Sequence, residues 1–291
     1  MKMKGNRGTG TSAKYLRSDI GVWVVRVFMC IYSVIVLYPI LWAVFCSVKD
    51  NASLFDNIFA LPSELHFENY VNAWTKAHIS QYFLNTVVIT IGSLALIMLF
   101  ASMASYVIAR YDFLGRRVFR FLYISGMMIP GTAGIVPLFI ELSSFGMVDN
   151  RVALMLVNCV NMMAFSVFIL ISFFKTIPKE ISEAATVDGC GRFKLFGRVM
   201  LPLAQPGLIP VLIIQFISCW SEVYYSMILL STDSKKTLQI GLYNMQKVQF
   251  QRADYVVMFA ASVLVALPSI LMYIIFQKKI IGGISMGAVK G

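Results

Sequence analysis

Two stretches of this chain hold residue types that can do chemistry. One is Trp220-Ser221-Glu222 with Tyr224 and Tyr225, a carboxylate among aromatic rings inside an apolar run. Carboxylates accept hydroxyl hydrogen bonds and aromatic faces stack on ring-shaped polyols, so the group could line a path for a polyhydroxylated solute. An ionised residue at mid-membrane costs about 2.5–3.5 kcal/mol to insert. Glu222 is therefore expected either to line such a path or to pair with a neighbouring span or subunit. Asn158 and Asn161 offer the same choice between lining a path and bonding between helices. The second stretch is Glu183-Ala184-Ala185-Thr186-Val187-Asp188-Gly189, followed by Leu201-Pro202, in a polar and cationic loop between two apolar runs.

Other chemistry is poorly supported. His66 and His78 lack metal-ligand spacing, and none of the five cysteines has CxxC spacing, so neither a metal site nor a disulfide framework is expected. There is no G-x-x-x-x-G-K-[ST] loop to cradle phosphates. Any nucleotide hydrolysis linked to this chain must occur on another polypeptide.

The elements that position these residues are membrane spans. The 291 residues are 58% hydrophobic and 13% charged, with mean hydropathy +0.76, whereas soluble domains are about 25% charged. Six continuous apolar runs are long enough for helices that cross about 30 Å of hydrocarbon. They cover about Val27–Cys46, Tyr82–Ala109, Phe119–Ile140, Val152–Phe174, Gly207–Leu230 and Tyr255–Phe276. The expected fold is thus an all-α membrane protein of six transmembrane helices. It divides into a tail (1–19), a six-span domain (20–276) containing the loop 175–206, and a second tail (277–291). With the N-terminus inside, only seven of the 25 Lys and Arg residues fall outside: Lys49, Lys76, Arg151, Lys235, Lys236, Lys247 and Arg252. By the positive-inside rule both termini are cytoplasmic. The net charge of +11 is then topological, and a nucleic-acid partner is not expected. Val27–Cys46 is longer than a cleaved signal core and reads as an uncleaved first span. The Gly/Thr/Lys-rich first dozen residues read as a disordered tail.

Within the loop, Pro178 can open a helix because its missing N–H is not needed in the first turn. Ile181, Ala184 and Ala185 share one helical face. Gly189 and Gly191 end that helix. Phe193, Phe196 and Met200 mark a second short helix, and Pro202 closes the loop. An elbow with a stripe of small residues suits insertion into a groove on a partner, or packing on its own bundle.

The loop motif resembles the signature of ABC-importer permeases. Four further segments carry the resemblance, which covers about residues 20–291. Ala104-Ser105-Tyr106 through Ala109-Arg110, Phe113 and Gly115-Arg116 resemble the stretch after the family's second span. Met127-Met128-Ile129-Pro130 and Pro137-Leu138-Phe139 resemble its third, a span that Pro130, Gly131 and Pro137 are expected to break, either for rocking in alternating access or simply as a kink. Trp220-Ser221-Glu222 resembles a Trp-Asn-Glu run, with Ser221 in place of Asn. Met286-Gly287-Ala288-Val289-Lys290-Gly291 resembles the ending of the smaller maltose-type subunit.

The resemblance implies the type I importer permease fold in the carbohydrate-uptake branch, with no catalytic residue and no cofactor in this chain. ATP and Mg would sit on two partner ATPase subunits, reached through Glu183, Ala184, Ala185, Asp188, Gly189, Leu201 and Pro202. The tail residues Gly287, Ala288, Lys290 and Gly291 would reach between the ATPases. A homologous second permease and an extracytoplasmic sugar-binding protein would complete the assembly. Phe67–Trp74 and the 232–254 loop are expected to dock that binding protein, or to cap the interface. A non-sugar solute such as a glycerol phosphate ester, an ion-coupled transporter and a membrane scaffold are the competing readings.

Overall fold

A computed structural model describes residues 10–252 and 254–288, with side chains described for 21–247 and 254–279. The first nine residues of the expected tail lie outside the described residues. Fourteen α-helices are present among them: α1 (Gly10–Ser47), α2 (Asn51–Asp56), α3 (Glu68–Thr75), α4 (Ile79–Arg110), α5 (Arg116–Gly126), α6 (Ile135–Ser144), α7 (Arg151–Thr176), α8 (Lys179–Val187), α9 (Arg192–Leu195), α10 (Leu201–Leu203), α11 (Gln205–Trp220), α12 (Tyr224–Leu229), α13 (Leu238–Arg252) and α14 (Tyr255–Ala288).

The centre of the bundle is the pair α4 and α7, which pack along their lengths. Small residues let them approach, among them Ser93, Ala101, Ser105 and Ala153, all fully buried. In lipid, where apolar surface gains little by burial, close packing of this kind is the main attraction between helices. α11 lies against α4, α7 and α14, and α1 packs chiefly on α14. Nearly all of α1 from Val22 to Leu41 is exposed, as expected of an apolar helix whose surroundings are lipid or another subunit rather than its own chain.

Four helices are long and apolar enough to span a membrane unaided: Gly21–Ser47, Ile79–Arg110, Arg151–Thr176 and Tyr255–Lys279. The third and fifth expected spans are not straight. The third bends by 93° between Arg116–Gly126 and Gly131–Ser144. Pro130 has no N–H to continue the ladder, and Gly131 begins a single 3₁₀ turn (Gly131–Gly134). Pro137, expected to help break this span, instead sits in the first turn of α6, where a missing N–H costs nothing.

The fifth expected span, Gly207–Leu230, is also interrupted. Its first helix ends at Trp220, and α12 starts at Tyr224. On its other side, Arg192–Leu203 meets Gln205–Trp220 at 78°. The bend falls at Ala204, so Pro202 does not close the loop. It lies within α10. Lacking an N–H, Pro202 cannot bond the carbonyl four residues back. The preceding turn, Phe196–Met200, widens to a π-helix whose Leu201 N–H reaches Phe196 O.

Candidate functional site

The elbow is built outward from the ends of α4 and α7. Ile177, Leu195, Met200 and Ala204 are buried in one cluster with Tyr106, Ile108 and Phe174. This anchors α9 and the π-turn but leaves α8 outside: no residue of α8 is buried. Of the expected apolar face, Ala185 packs partly against the cluster, while Ile181 and Ala184 are exposed. The second short helix is present as α9 and the π-turn after it. Leu195 and Met200 face inward, whereas Phe193 is 87% exposed.

α8 stops in a Schellman motif. Gly189 has φ 79°, and the N–H groups of Cys190 and Gly189 bond the carbonyls of Ala185 and Thr186 at 3.0 Å each. This 6→1 and 5→2 pair satisfies carbonyls that a helix end would otherwise leave open, and glycine adopts the left-handed φ without strain. Asp188 is exposed and contributes its backbone N–H, bonded to Ala184 O at 3.0 Å. The elbow is therefore fixed by the backbone at 188–190, not by the Asp188 carboxylate. Glu183 is exposed on α8, Pro202 is exposed and Leu201 half-buried.

One side chain that sequence reasoning assigned no role ties α8 to the bundle. Arg110, the last residue of α4, donates from Nη1 to Ile177 O at 2.7 Å, and from Nη2 to Pro178 O at 3.0 Å and Ser182 Oγ at 3.3 Å. A guanidinium offers five fixed donors, so one residue can set where α8 leaves α7. The signal was an Arg at the end of a span, read as topology and as part of the family resemblance. Beside this clamp a cleft of about 560 Å³ lies between Tyr106, Tyr111 and Phe113 on one side and Arg192, Phe193 and Phe196 on the other.

The candidate path residues separate into two kinds. Trp220 is 3% exposed, donates Nε1–H to Val265 O at 3.0 Å, and packs on Phe83 and Phe216. Asn158 is 1% exposed and donates to Ser93 Oγ at 3.3 Å, across the α4–α7 contact. Both serve packing between helices. Tyr224, Ser221 and Asn161 are exposed, and Glu222 is half-buried. Glu222 is not in the middle of a helix: it lies in the break before α12. Its Oε1 accepts the Tyr225 N–H at 2.6 Å, and its Oε2 accepts the Ser226 N–H at 2.9 Å and the Ser226 hydroxyl. The carboxylate caps N–H groups that the broken helix leaves open. Tyr225 Oη donates to Asn161 Oδ1 at 2.8 Å. Both press on Gly131, where an added Cβ would lie 2.5 Å from Tyr225 Oη and 2.9 Å from Asn161 Oδ1. The bend of the third span and the break before α12 thus meet through a glycine.

The other end of the bundle is closed by a knot around Asp149, which the sequence reading did not single out. Its Oδ1 accepts the Ser231 and Thr232 N–H groups at 3.1 and 3.0 Å, and its Oδ2 accepts Thr232 Oγ1 and Lys235 Nζ at 2.7 Å each. The Lys235 ammonium and the Thr232 donors hold its carboxyl well below the usual carboxylate range. Asn85 donates to Ser234 O and Lys236 O, and Arg151 to Ser234 O. The signal was Asp149-Asn150-Arg151 before an apolar run, since Asp and Asn favour left-handed turns and helix caps. Asp149 indeed has φ 58°, and Asn150 caps α7. Of the tail residues, Gly287 and Ala288 end the α14 backbone, so helix continues past the expected boundary at 276. Lys290 and Gly291 lie outside the described residues.

This architecture is shared with solved transport proteins. A bacterial ABC transporter that imports the acidic polysaccharide alginate includes a chain with TM-score 0.81 and 24% identity, covering 94% of this chain and 99% of that one. Among curated proteins, a diacetylchitobiose uptake system permease of Streptomyces coelicolor is 38% identical, covering 89% of this chain and 86% of the relative. A melibiose/raffinose/stachyose import permease of Bacillus subtilis is 34% identical, covering 79% and 83%. Residues 97–284, which contain the elbow, both bends and the Asp149 knot, match the family described as binding-protein-dependent transport system inner membrane component. The chain belongs to that family.

Proposed function

We propose that this chain is the permease subunit of an ATP-driven importer for a carbohydrate, an oligosaccharide, and that its elbow transmits the work of a separate ATPase. The observation that carries the coupling role is α8. It is fastened at its start by Arg110 and at its end by the Gly189 stop, yet it buries none of its residues. Val187, 88% exposed, and Phe193, 87% exposed, leave apolar surface at its tip. A rigidly held, uncovered helix at the end of a bundle suits insertion into a groove on a partner. The relatives named for diacetylchitobiose and for melibiose, raffinose and stachyose support an oligosaccharide as the solute.

In this reading six spans cross the membrane with both termini cytoplasmic. A homologous second permease, two ATPase subunits and an extracytoplasmic binding protein complete the complex, and ATP and Mg are bound by the ATPases. A loaded binding protein favours ATPase closure, which draws the elbow inward. The two bent spans hinge against each other at Gly131, the bundle opens outward, and hydrolysis resets it. Glu222, Ser221, Tyr224 and Asn161 are the candidates for the solute path.

The test is co-purification of the ATPase with the assembled complex carrying Val187→Asp and Phe193→Asp. Both side chains are exposed, so the fold has no need of them. Loss of the ATPase with an intact permease pair is expected. A full complement of ATPase and undiminished sugar uptake would refute the docking role.

A further inference from the structure

Three helix ends, the last turns of α4 and α7 and the first turn of α5, surround a second cavity of about 610 Å³ at the elbow end of the bundle. Its charged lining is Arg116, Arg117, Arg120, Lys175 and a single carboxylate, Asp112. That carboxylate is already engaged by Arg116. Arg116 also donates to Ile108 O at 2.7 Å and Ala109 O at 3.1 Å, capping the end of α4. Among the described residues, the side chains of Arg117, Arg120 and Lys175 have neither an ion-pair partner nor a hydrogen bond. Lys175 is close enough to Arg120 and Arg116 to feel the charge of both. Such a cluster repels itself and attracts an anion.

The surroundings identify the kind of anion. Leu114, beside the cavity, is completely exposed, and along α5 Val118, Phe119, Phe121 and Leu122 are each more than half exposed. A cationic cavity bordered by uncovered apolar side chains matches an amphiphile: a charged head with chains alongside. A free phosphate or an acidic protein surface would leave the apolar face uncovered. Basic pockets between spans and basic amphipathic helices at the membrane surface are the settings in which anionic headgroups bind.

We propose that this cavity holds the phosphate of an anionic phospholipid, with Arg117, Arg120 and Lys175 around the headgroup and the acyl chains against the apolar face of α5. This rests on reading the apolar runs as membrane spans, and not on docking of the elbow.

The test is native mass spectrometry of the detergent-solubilised complex, titrated with phosphatidylglycerol, phosphatidylcholine, inorganic phosphate or a polyglutamate peptide. Each basic residue near an anionic surface contributes about fivefold. Hence the triple variant Arg117→Gln, Arg120→Gln, Lys175→Gln is expected to lose phosphatidylglycerol binding by roughly a hundredfold. The charge-preserving variant Arg117→Lys, Arg120→Lys, Lys175→Arg is expected to retain it, which separates lost charge from lost fold. Neutralising Arg192 and Lys194 on the elbow is expected to leave binding intact. Equal binding of phosphatidylcholine, or unchanged binding in the glutamine variant, would overturn the proposal. So would displacement of the lipid by millimolar inorganic phosphate, which marks a free-phosphate site, or by polyglutamate, which marks an acidic protein surface.

Discussion

The two ends of this bundle are held in opposite ways. At the Asp149 end, loops far apart in sequence are tied to one another. Asp149 binds Ser231, Thr232 and Lys235, Asn85 binds Ser234 and Lys236, and Asn69 binds the carbonyls of Ser47 and Lys49. At the elbow end, α8 is tied by one arginine and a glycine stop, and its surface is left bare. The first end spends its polar groups on itself. The second keeps its surface for something else. A subunit that passes motion from a partner to the membrane needs this contrast, because an elbow packed onto its own bundle would have nothing left to offer.

The contrast can be broken at each end. Arg110→Ala removes three bonds at the elbow, two of them charge-assisted bonds to carbonyls worth about 1.5–3 kcal/mol each. It should loosen α8 by about 3 kcal/mol, seen as faster hydrogen exchange over residues 178–188 by roughly a hundredfold. Exchange at residues 229–236 should stay unchanged, and sugar uptake should fall at least tenfold. Equal loosening at both ends would mean that the ends are not independent.

Between the ends, Gly131→Ala would drive a methyl group against Tyr225 Oη and Asn161 Oδ1. Overpacking of this kind costs about 2 kcal/mol. Adding Tyr225→Phe, which removes the atom 2.5 Å away, should recover part of the loss in both melting temperature and uptake. No recovery would show that the bend at Gly131 and the break before α12 do not meet as described.

The smallest effect belongs to the knotted end. Asp149→Asn should lower the melting temperature of the complex in detergent by a few degrees with uptake retained. Its dependence on pH follows from the depressed carboxyl. A group whose folded pKa lies below its unfolded value stabilises the fold above the unfolded pKa, about 3.9, and loses that contribution as pH falls toward the folded value. The gap between the native chain and Asp149→Asn should therefore be constant above about pH 5 and close on acidification below about pH 4. A gap that widened instead would mean that Lys235 is not the partner.

The helical class, four helices long and apolar enough to cross a membrane, and the start and stop of α8 were legible in the sequence because each rests on local chemistry: continuous apolar runs, Pro178 and Gly189. Pro130 marked the bend in the third span for the same reason. The break at Ser221–Val223 was not legible, since no proline or glycine announces it. It is held by Glu222 capping α12, and a lone glutamate in an apolar run reads as a buried charge until its partners are seen. Arg110 and Asp149 were hidden for a related reason. Their partners lie about 70 and 80 residues away, and only the fold brings them together.

The central claim is that the elbow end is covered by the ATPase and the Asp149 end is not. In a cysteine-free complex, single cysteines at Ala184 on α8 and Ser231 at the knot, both exposed positions, can be timed against a membrane-impermeant maleimide in inside-out and right-side-out vesicles. Ala184→Cys should react only from the cytoplasmic side and at least tenfold more slowly with the ATPase bound. Ser231→Cys should react from the other side at a rate indifferent to the ATPase. Labelling of Ala184→Cys at the same rate with and without the ATPase would contradict the account.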